Sequence, residues 1–309
     1  MTRYPLPRIA LSSCLMSEGR EKELMDKIAT HVELVPLCPR LSLGIQQPRQ
    51  SLLLLEQNGS RELLSLKGRV RVTREELLPF ALRSIAHLEV DGFLLRSESP
   101  FCGVLDAKVL DGELRVKGRD DGLFTQCIRR FHPLLPVESH KRLLDYETRR
   151  LFFARVFSLA DLRETLKAAG ERELAEFHRR HKYLLMLHSS QHLKLLGNVV
   201  ANGKERPLEE TKQIYRQIFM EALAKNPSRK SYVRVFLHVY NRMKRRLDER
   251  ERELLKQQIH EYGEGRKGLR SLLLSFQELL RREGSSCALL QRFLQPYPPE
   301  LEVIEPADA

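Results

Sequence analysis

The spacing of apolar residues changes near residue 145, and this change limits the folds that the chain can adopt. Before this point, short apolar runs alternate with segments of helical spacing, a pattern typical of a sheet flanked by helices. After it, helical spacing continues almost to the end of the sequence. A length of 309 residues suits two domains. We therefore expect one domain over residues 1–145 and another over residues 146–309.

Several short apolar runs in the first part have the length and the bounding turn residues of strands. They are RIALSSC, ELVPLCP, SLLLLE and DGFLLRS. Segments with helical spacing lie among them, namely EKELMDKIATHV, TREELLPFALRSIAHL and DGLFTQCIRRFH. Thr73 and Glu76 have the spacing of a capping box, which marks a helix N-terminus. This alternation predicts an α/β domain in which helices flank a parallel sheet.

The second part is predicted to be an all-α helical domain. Its amphipathic segments include LADLRETLKAAG, ELAEFHRRHKYLLMLHS and LEETKQIYRQIFMEALAKN, and the connections between segments are short, as in a helical bundle. Ser189 and Ser190 predict a break between two of these helices. Spacing alone would allow His181, His188 and His192 to share a helix face, but the predicted break and the lack of further ligands argue against a metal site there.

Three cysteines stand at or just beyond the ends of predicted strands. Cys14 and Cys38 end the first two apolar runs, and Cys102 follows the run DGFLLRS by a few residues. Because the carboxyl ends of parallel strands meet at one edge of a sheet, the three thiols are expected to converge there in a cluster or metal site. The alternative is that they are small buried apolar residues. The odd total of five cysteines argues against a disulfide framework.

The net charge of +12 and the pI near 9.6 indicate an affinity for polyanions. Most of the positive excess falls after Asp145, so nucleic acid would contact the second domain. A basic surface without such a partner is the alternative. The sequence has no apolar run of membrane-spanning length, and its first residues do not resemble a signal peptide. We therefore expect a cytoplasmic protein with no membrane association.

The first part resembles the thiouracil desulfidase family (TudS, DUF523) through the strings SSCL, VPLCP, GIQQPR and SESPFCG, followed by DGLF and FHPLLPVE. The second part resembles the YbgA-like (DUF1722) family through FHRRHKYLLMLHS, LGNVV and LQRFLQPYPPEL. In this order, the two parts are similar to the bacterial RNA 4-thiouridine desulfidases, which act on tRNA.

This resemblance implies a 4Fe-4S cluster on Cys14, Cys38 and Cys102, with one iron left open. The open iron would act as a Lewis acid on the soft sulfur of a thiocarbonyl group. The implied activity converts 4-thiouridine in tRNA to uridine and sulfide, without net redox change. Two rival functions stay open: desulfuration of free thiouracil or another small thiocarbonyl compound, and tRNA binding by a cluster-bearing protein that has lost turnover.

The sequence departs from the family at two places that bear on catalysis. The family has Cys-Pro-Glu where this chain has Cys38-Pro39-Arg40, and an arginine cannot act as a base at neutral pH. The Arg-Tyr-Asp-Gly string that normally follows the first cysteine is also missing. Candidate replacements for the lost carboxylate are Glu18, Glu33 and Glu98.

We assign candidate catalytic roles to Ser99 and Glu98, which precede Cys102. The candidate substrate-binding residues are Ser13, Arg40, Arg49 and Ser97. The structural alternatives are loop capping beside Pro100 for Ser97 and Ser99, a surface salt bridge for Arg49, and lost or altered activity marked by Arg40. Arg40 could also contact RNA phosphate or an extruded base.

Two runs of basic residues in the second part are the candidate tRNA contacts, because consecutive cations can follow a phosphate backbone. They are His178, Arg179, Arg180 and Lys182 in the first run, and Lys244, Arg245 and Arg246 in the second. The alternative is a solvated helix face with local ion pairs. Aromatic residues are scarce at 7%, which favours recognition of folded RNA by shape and charge over base stacking. No obligate protein partner is inferred, and the sequence leaves the oligomeric state open.

Overall fold

The computed structural model describes residues 4–17, 20–38, 52–57, 59–65, 71–168, 170–282 and 292–303. The chain divides into two compact units. The N-terminal unit comprises Leu6–Phe152 and Glu300–Ala309, and the helical unit comprises Met1–Pro5 and Phe153–Pro299. No helix within the described ranges is both long and apolar enough to span a membrane.

A parallel sheet forms part of the N-terminal unit and confirms the predicted α/β class. Its strands are β1 (Arg8–Ser12), β2 (Glu33–Leu37), β6 (Gly92–Leu95) and β9 (Val137–Ser139). Their spatial order is β2-β1-β6-β9, and every pairing is parallel. The apolar side chains of β1 and β6 are almost completely buried, as expected for central strands of a sheet covered on both faces.

Among its described residues, this unit has the helices α1 (Arg20–Ala29), α2 (Arg74–Ile85) and α3 (Leu123–Phe131). The predicted capping box at the start of α2 is confirmed. The Glu76 N–H donates to Thr73 Oγ1 over 3.2 Å, and the Thr73 N–H donates to Glu76 Oε2 over 2.8 Å. The apolar faces of α2 and α3 share one core with residues of the parallel sheet.

A second sheet in the N-terminal unit corrects the sequence analysis. Its order is β5-β4-β3-β7-β8, and all its pairings are antiparallel except that of β3 with β7. The strands are β3 (Leu52–Gln57), β4 (Ser60–Ser65), β5 (Arg71–Thr73), β7 (Ala107–Leu110) and β8 (Val116–Asp120). The strand predicted in SLLLLE is therefore confirmed for its described residues, from Leu52 onwards, but it belongs to this second sheet and not to the parallel one.

Helices make up the second part of the chain, as predicted. Its α-helices with both ends in the described part of the chain are α4 (Tyr146–Ala168), α5 (Glu171–His188), α6 (Ser190–Ala201), α7 (Leu208–Ala224), α8 (Arg229–Met243), α9 (Glu249–Gly263) and α10 (Leu269–Arg282). The division between the units falls within α4. The predicted break at Ser189 is confirmed, since the Ser189 side chain caps α6 by accepting the His192 N–H.

Candidate active site at the carboxyl edge of the parallel sheet

The register of the parallel sheet brings one row of residues to its carboxyl edge. Ser12 pairs with Leu37 of β2, and Leu95 of β6 pairs with Ser139 of β9. The residues that come next in each strand, in spatial order, are Cys38, Ser13, Arg96 and His140. Neighbouring strands lie about 4.8 Å apart, so these four residues follow one another along the edge. Two predicted site residues, Cys38 and Ser13, are thus adjacent at the sheet edge.

Cys14 lies one residue farther along, in the short 3-10 helix Ser13–Leu15. Its carbonyl oxygen accepts a hydrogen bond from Ser17 Oγ at 2.8 Å and another from Arg96 Nη1 at 3.4 Å. Arg96 Nη2 lies 3.7 Å from Glu21 Oε1, in the first turn of α1. Arg96 therefore links the Cys14 turn to the start of α1, a role that the sequence analysis did not predict.

The turn that carries Cys102 is held by the side chain of Ser99. Ser99 Oγ accepts the N–H of Phe101 at 3.2 Å and that of Cys102 at 3.1 Å. The Cys102 carbonyl accepts a hydrogen bond from Thr125 Oγ1 at 3.0 Å. Of the two roles considered for Ser99, this geometry supplies the loop cap, through which Ser99 fixes the backbone that bears the thiol.

The N-terminus of α3 docks on the same turn. The Leu123 N–H donates to the Pro100 carbonyl at 3.1 Å, and the Phe124 N–H donates to the Phe101 carbonyl at 2.9 Å. Gly122 makes this approach possible, because a Cβ there would lie 2.6 Å from the Phe101 carbonyl oxygen. The first N–H groups of α3, which have no partner inside the helix, are thereby satisfied by the Cys102 turn.

Glu98 and Ser97 lie at the start of this turn. Glu98 has a positive φ of 58° and is exposed, and its carboxylate contacts Lys141 Nζ at 2.6 Å. This hydrogen bond to Lys141 lowers the pKa of Glu98, so the group is ionised at neutral pH and can accept a proton but not donate one. Ser97 is buried, and its Oγ accepts the Lys141 N–H at 3.0 Å.

His140 is a residue of this edge that the sequence analysis missed. Its side chain is buried, and Nδ1 accepts the Ser97 N–H at 3.1 Å. Burial lowers its pKa, with a further contribution from the Arg96 charge, while Glu21 acts in the opposite direction. The imidazole is therefore neutral at pH 7. The place of His140 at the sheet edge depends on β9. A strand of three residues is too short to show a sequence periodicity from which it could be predicted.

The donor chemistry at this edge suits an iron–sulfur cluster, since Cys14, Cys38 and Cys102 are thiol-bearing residues that follow strands of one sheet. Within the described ranges, however, no three Cys, His, Asp or Glu side chains lie close enough together to hold a metal ion. Arg40, Arg49 and Glu18 lie outside the described residues. Glu33, another candidate carboxylate, is the first residue of β2, at the end of the strand opposite Cys38, where it pairs with Arg8 at 3.2 Å.

Cys127 differs from these three cysteines in its surroundings. It is buried inside α3, and desolvation raises the pKa of its thiol to about 11. A thiol with this pKa stays protonated at neutral pH, and a protonated thiol is a poor metal ligand. Cys127 is therefore part of the core.

The first basic run in the helical unit lies on α5 and has mixed surroundings. His178 is half-buried, with Nδ1 3.2 Å from Tyr215 Oη, and burial lowers its pKa. Arg179 binds Glu176 through two hydrogen bonds, and Arg180 lies 3.3 Å from Asp161. Lys182 is exposed. Of this run, Lys182 is thus the residue most accessible to an external anion.

The second basic run, Lys244–Arg246, forms a short 3-10 helix at the end of α8, and all three side chains are exposed. Helix α8 packs against α5 within the helical unit. The buried histidines of α5 are core residues. Nδ1 of His181 donates to the Phe177 carbonyl at 3.0 Å, and Nδ1 of His188 donates to the Lys225 carbonyl at 2.6 Å.

Two protein-family models match separate parts of the chain. Residues 9–140 match the family model of 2-thiouracil desulfurase, and residues 182–298 match that of a protein family of unknown function, DUF1722. A solved structure of the 4Fe-4S-dependent thiouracil desulfidase TudS is 22% identical, with a match that covers 44% of this chain and 93% of that chain at a TM-score of 0.35. No curated protein matches the chain. The chain therefore joins a region that matches the 2-thiouracil desulfurase family model to a region that matches the DUF1722 family model.

Proposed function

We propose that the protein removes sulfur from 4-thiouridine in tRNA, using a 4Fe-4S cluster held by Cys14, Cys38 and Cys102. The observation that carries the proposal is the position of these cysteines. All three follow the carboxyl ends of neighbouring parallel strands, within the segment that matches the 2-thiouracil desulfurase family. In open sheets of this kind, substrates bind beyond the carboxyl ends of the strands.

The reaction exchanges a thiocarbonyl for a carbonyl group. It consumes one water and releases hydrogen sulfide, so no electrons are transferred. When bound, a cluster with one iron free of protein ligands supplies a soft Lewis acid for the substrate sulfur. The thiolates of Cys14, Cys38 and Cys102 would hold it, because iron–sulfur clusters take thiolate ligands.

The residues around the cysteines have two tasks in this proposal. Arg96 and Ser99 fix the backbones of Cys14 and Cys102 through the hydrogen bonds described above. Attack by water also requires a proton acceptor, and the ionised Glu98 carboxylate has the right protonation state at neutral pH. Glu98 would therefore take over the role of the carboxylate that Arg40 replaces.

The proposal of tRNA as substrate rests on charge. The chain has a net charge of +12, and the exposed Lys182 and Lys244–Arg246 lie in the part with most of the excess. Cations of this kind bind phosphate without reading base sequence. The helical unit would hold the tRNA body, and the thiolated base would enter the N-terminal unit.

The test is an anaerobic desulfuration assay. The full chain is reconstituted with iron and sulfide, its iron content is measured, and bulk tRNA containing 4-thiouridine is added. The near-ultraviolet absorbance of the thiolated base then reports turnover. We expect this absorbance to fall with the wild-type chain and to persist with Cys38→Ala, whose iron content should also fall. Cys127→Ala is the matched control, because it removes a buried thiol inside α3 that is not one of the three proposed ligands.

The outcomes separate the rival functions. Turnover of free 4-thiouracil with no turnover of tRNA would replace tRNA by a small thiocarbonyl substrate. An intact cluster with tight tRNA binding and no loss of absorbance would mean that Arg40 marks a binding protein. A wild-type chain that takes up no iron would contradict the proposal as a whole.

A further inference from the structure

His140 is built into the sheet edge in a fixed orientation. Its backbone N–H donates to the Leu95 carbonyl at 3.0 Å, and its Nδ1 accepts the Ser97 N–H at 3.1 Å. The backbone of His140 is therefore held by the end of β6, and its ring is held by Ser97, the second residue of the loop that leads to Cys102. In the register of the sheet, it ends the row that begins with Cys38.

The hydrogen bond from Ser97 determines where the ring carries its proton. Because Nδ1 is the acceptor, the single proton of the neutral imidazole is on Nε2. A proton on Nδ1 would face the Ser97 N–H, and two hydrogen-bond donors in contact repel each other. The charged groups that face the ring are Arg96 after β6, Lys141 beside it and Glu21 on α1. The two cations oppose a positive charge on the ring, and the neutral form persists.

Nε2 makes no hydrogen bond with any described residue, whereas Nδ1 has a partner. A neutral imidazole with a fixed Nε2–H is a hydrogen-bond donor to a carbonyl group and not a base. A pyrimidine such as 4-thiouracil presents one carbonyl oxygen, at C2, as well as the reacting thiocarbonyl. A donor at the sheet edge is placed where substrates of such folds bind.

We infer that His140 is a substrate-contacting residue that donates its Nε2–H to the carbonyl oxygen of the pyrimidine ring. The contact orients the ring so that its thiocarbonyl carbon faces the cysteine-bearing turns. It would also select pyrimidines that keep this oxygen. The inference rests on the proposed function in taking the substrate to be a pyrimidine.

Two substitutions of His140 test the roles of its two ring nitrogens separately. In His140→Asn, Oδ1 takes the position of Nδ1 and can still accept the Ser97 N–H, but the distal donor is lost. In His140→Gln, the amide nitrogen takes the position of Nε2 and keeps the distal donor, but the acceptor for Ser97 is lost. A purely structural role for His140 would make the Gln variant the more damaged of the two.

The experiment measures uracil binding by equilibrium dialysis with the anaerobically reconstituted full chain. Uracil is the reaction product, so it is not consumed and its affinity can be measured without turnover. We expect His140→Asn to raise the Kd for uracil about three- to tenfold, the worth of one hydrogen bond. His140→Gln should stay within about twofold of the wild type, and both variants should keep the wild-type iron content.

Several results would overturn the inference. Equal uracil affinity of the wild type and His140→Asn would do so, and so would the absence of uracil binding by an iron-loaded wild-type chain. Loss of iron or of thermal stability in both variants would show that His140 is structural. A wild-type chain that binds uracil with the expected dependence on His140, yet leaves 4-thiouridine intact, would contradict the proposed function alone.

Discussion

A side chain at position 122 would collide with the turn that carries Cys102. A Cβ on Gly122 would lie 2.6 Å from the Phe101 carbonyl oxygen and 2.9 Å from the Cys102 nitrogen. Both are backbone atoms, so the contact cannot be relieved by rotating a side chain. Either α3 or the Cys102 turn must move, and the hydrogen bonds between them weaken.

Gly122→Ala is therefore expected to lower the free energy of unfolding by about 1–3 kcal/mol, the usual cost of overpacking. Iron content after reconstitution should fall as well, because the backbone that presents Cys102 is displaced. Urea unfolding and iron analysis would measure these two effects. Gly118→Ala is the control, since a Cβ at Gly118 meets no atom within 4 Å. Equal free energies of unfolding for Gly122→Ala and Gly118→Ala would contradict this prediction, because the Cys102 turn would then move without loss of stability.

At the scale of the element, the strands that could be predicted are those whose sequences are short apolar runs. The runs that became β1, β2, β3 and β6 are apolar and bounded by turn residues, and their position explains why the three cysteines were expected at one edge. Strand β8, by contrast, has the sequence VKGRD and lies almost entirely exposed. It is specified by its backbone pairing with β7 and leaves no apolar pattern.

Strand pairing also explains why two residues of the candidate site were not predicted from the sequence. His140 and Arg96 matter because of the strands that they follow, and register is a property of pairing that one segment does not reveal. The first helical segment named for the second part, LADLRETLKAAG, begins only at Leu159, whereas α4 begins at Tyr146. The stretch from Phe152 to Leu162 is mostly buried, so an amphipathic spacing was visible only in its last turns.

Helix α5 should make the stability of the helical unit depend on pH. Burial lowers the pKa of both His181 and His188 to about 4, from an ordinary value of 6.5. Protons therefore bind more tightly to the unfolded chain, and stability falls as pH drops from 6.5 towards 4. Between pH 7.5 and pH 5, each histidine should lower the free energy of unfolding by about 2 kcal/mol.

His188→Asn isolates this effect, because the Asn amide can still donate to the Lys225 carbonyl but does not titrate. Urea unfolding of the full chain at pH 7.5 and pH 5 should show a smaller loss of stability than in the wild type. His238, which is exposed on α8, provides the control substitution His238→Asn. If both variants keep the wild-type pH dependence, the buried histidine is not its source.

At the scale of the whole molecule, the basic charge matters because phosphate binding releases counterions, and affinity then depends steeply on salt. Many of the chain's cations are already engaged: Lys256 with Glu253, and Arg266 with Glu264. Lys244 and Arg245 are exposed in a turn without acidic residues. These two residues should therefore carry more of the attraction to RNA than their share of the total charge.

The double variant Lys244→Gln, Arg245→Gln is expected to weaken tRNA binding and to reduce the slope of log Kd against log salt by about one for each phosphate that is no longer neutralised. Filter binding between low and physiological salt would measure both. The double variant Lys256→Gln, Arg266→Gln changes the net charge equally but removes only ion-paired cations. Equal losses in the two double variants would show that net charge alone attracts the RNA. A larger loss in the first would locate phosphate binding at the end of α8, independently of whether the N-terminal unit turns over its substrate.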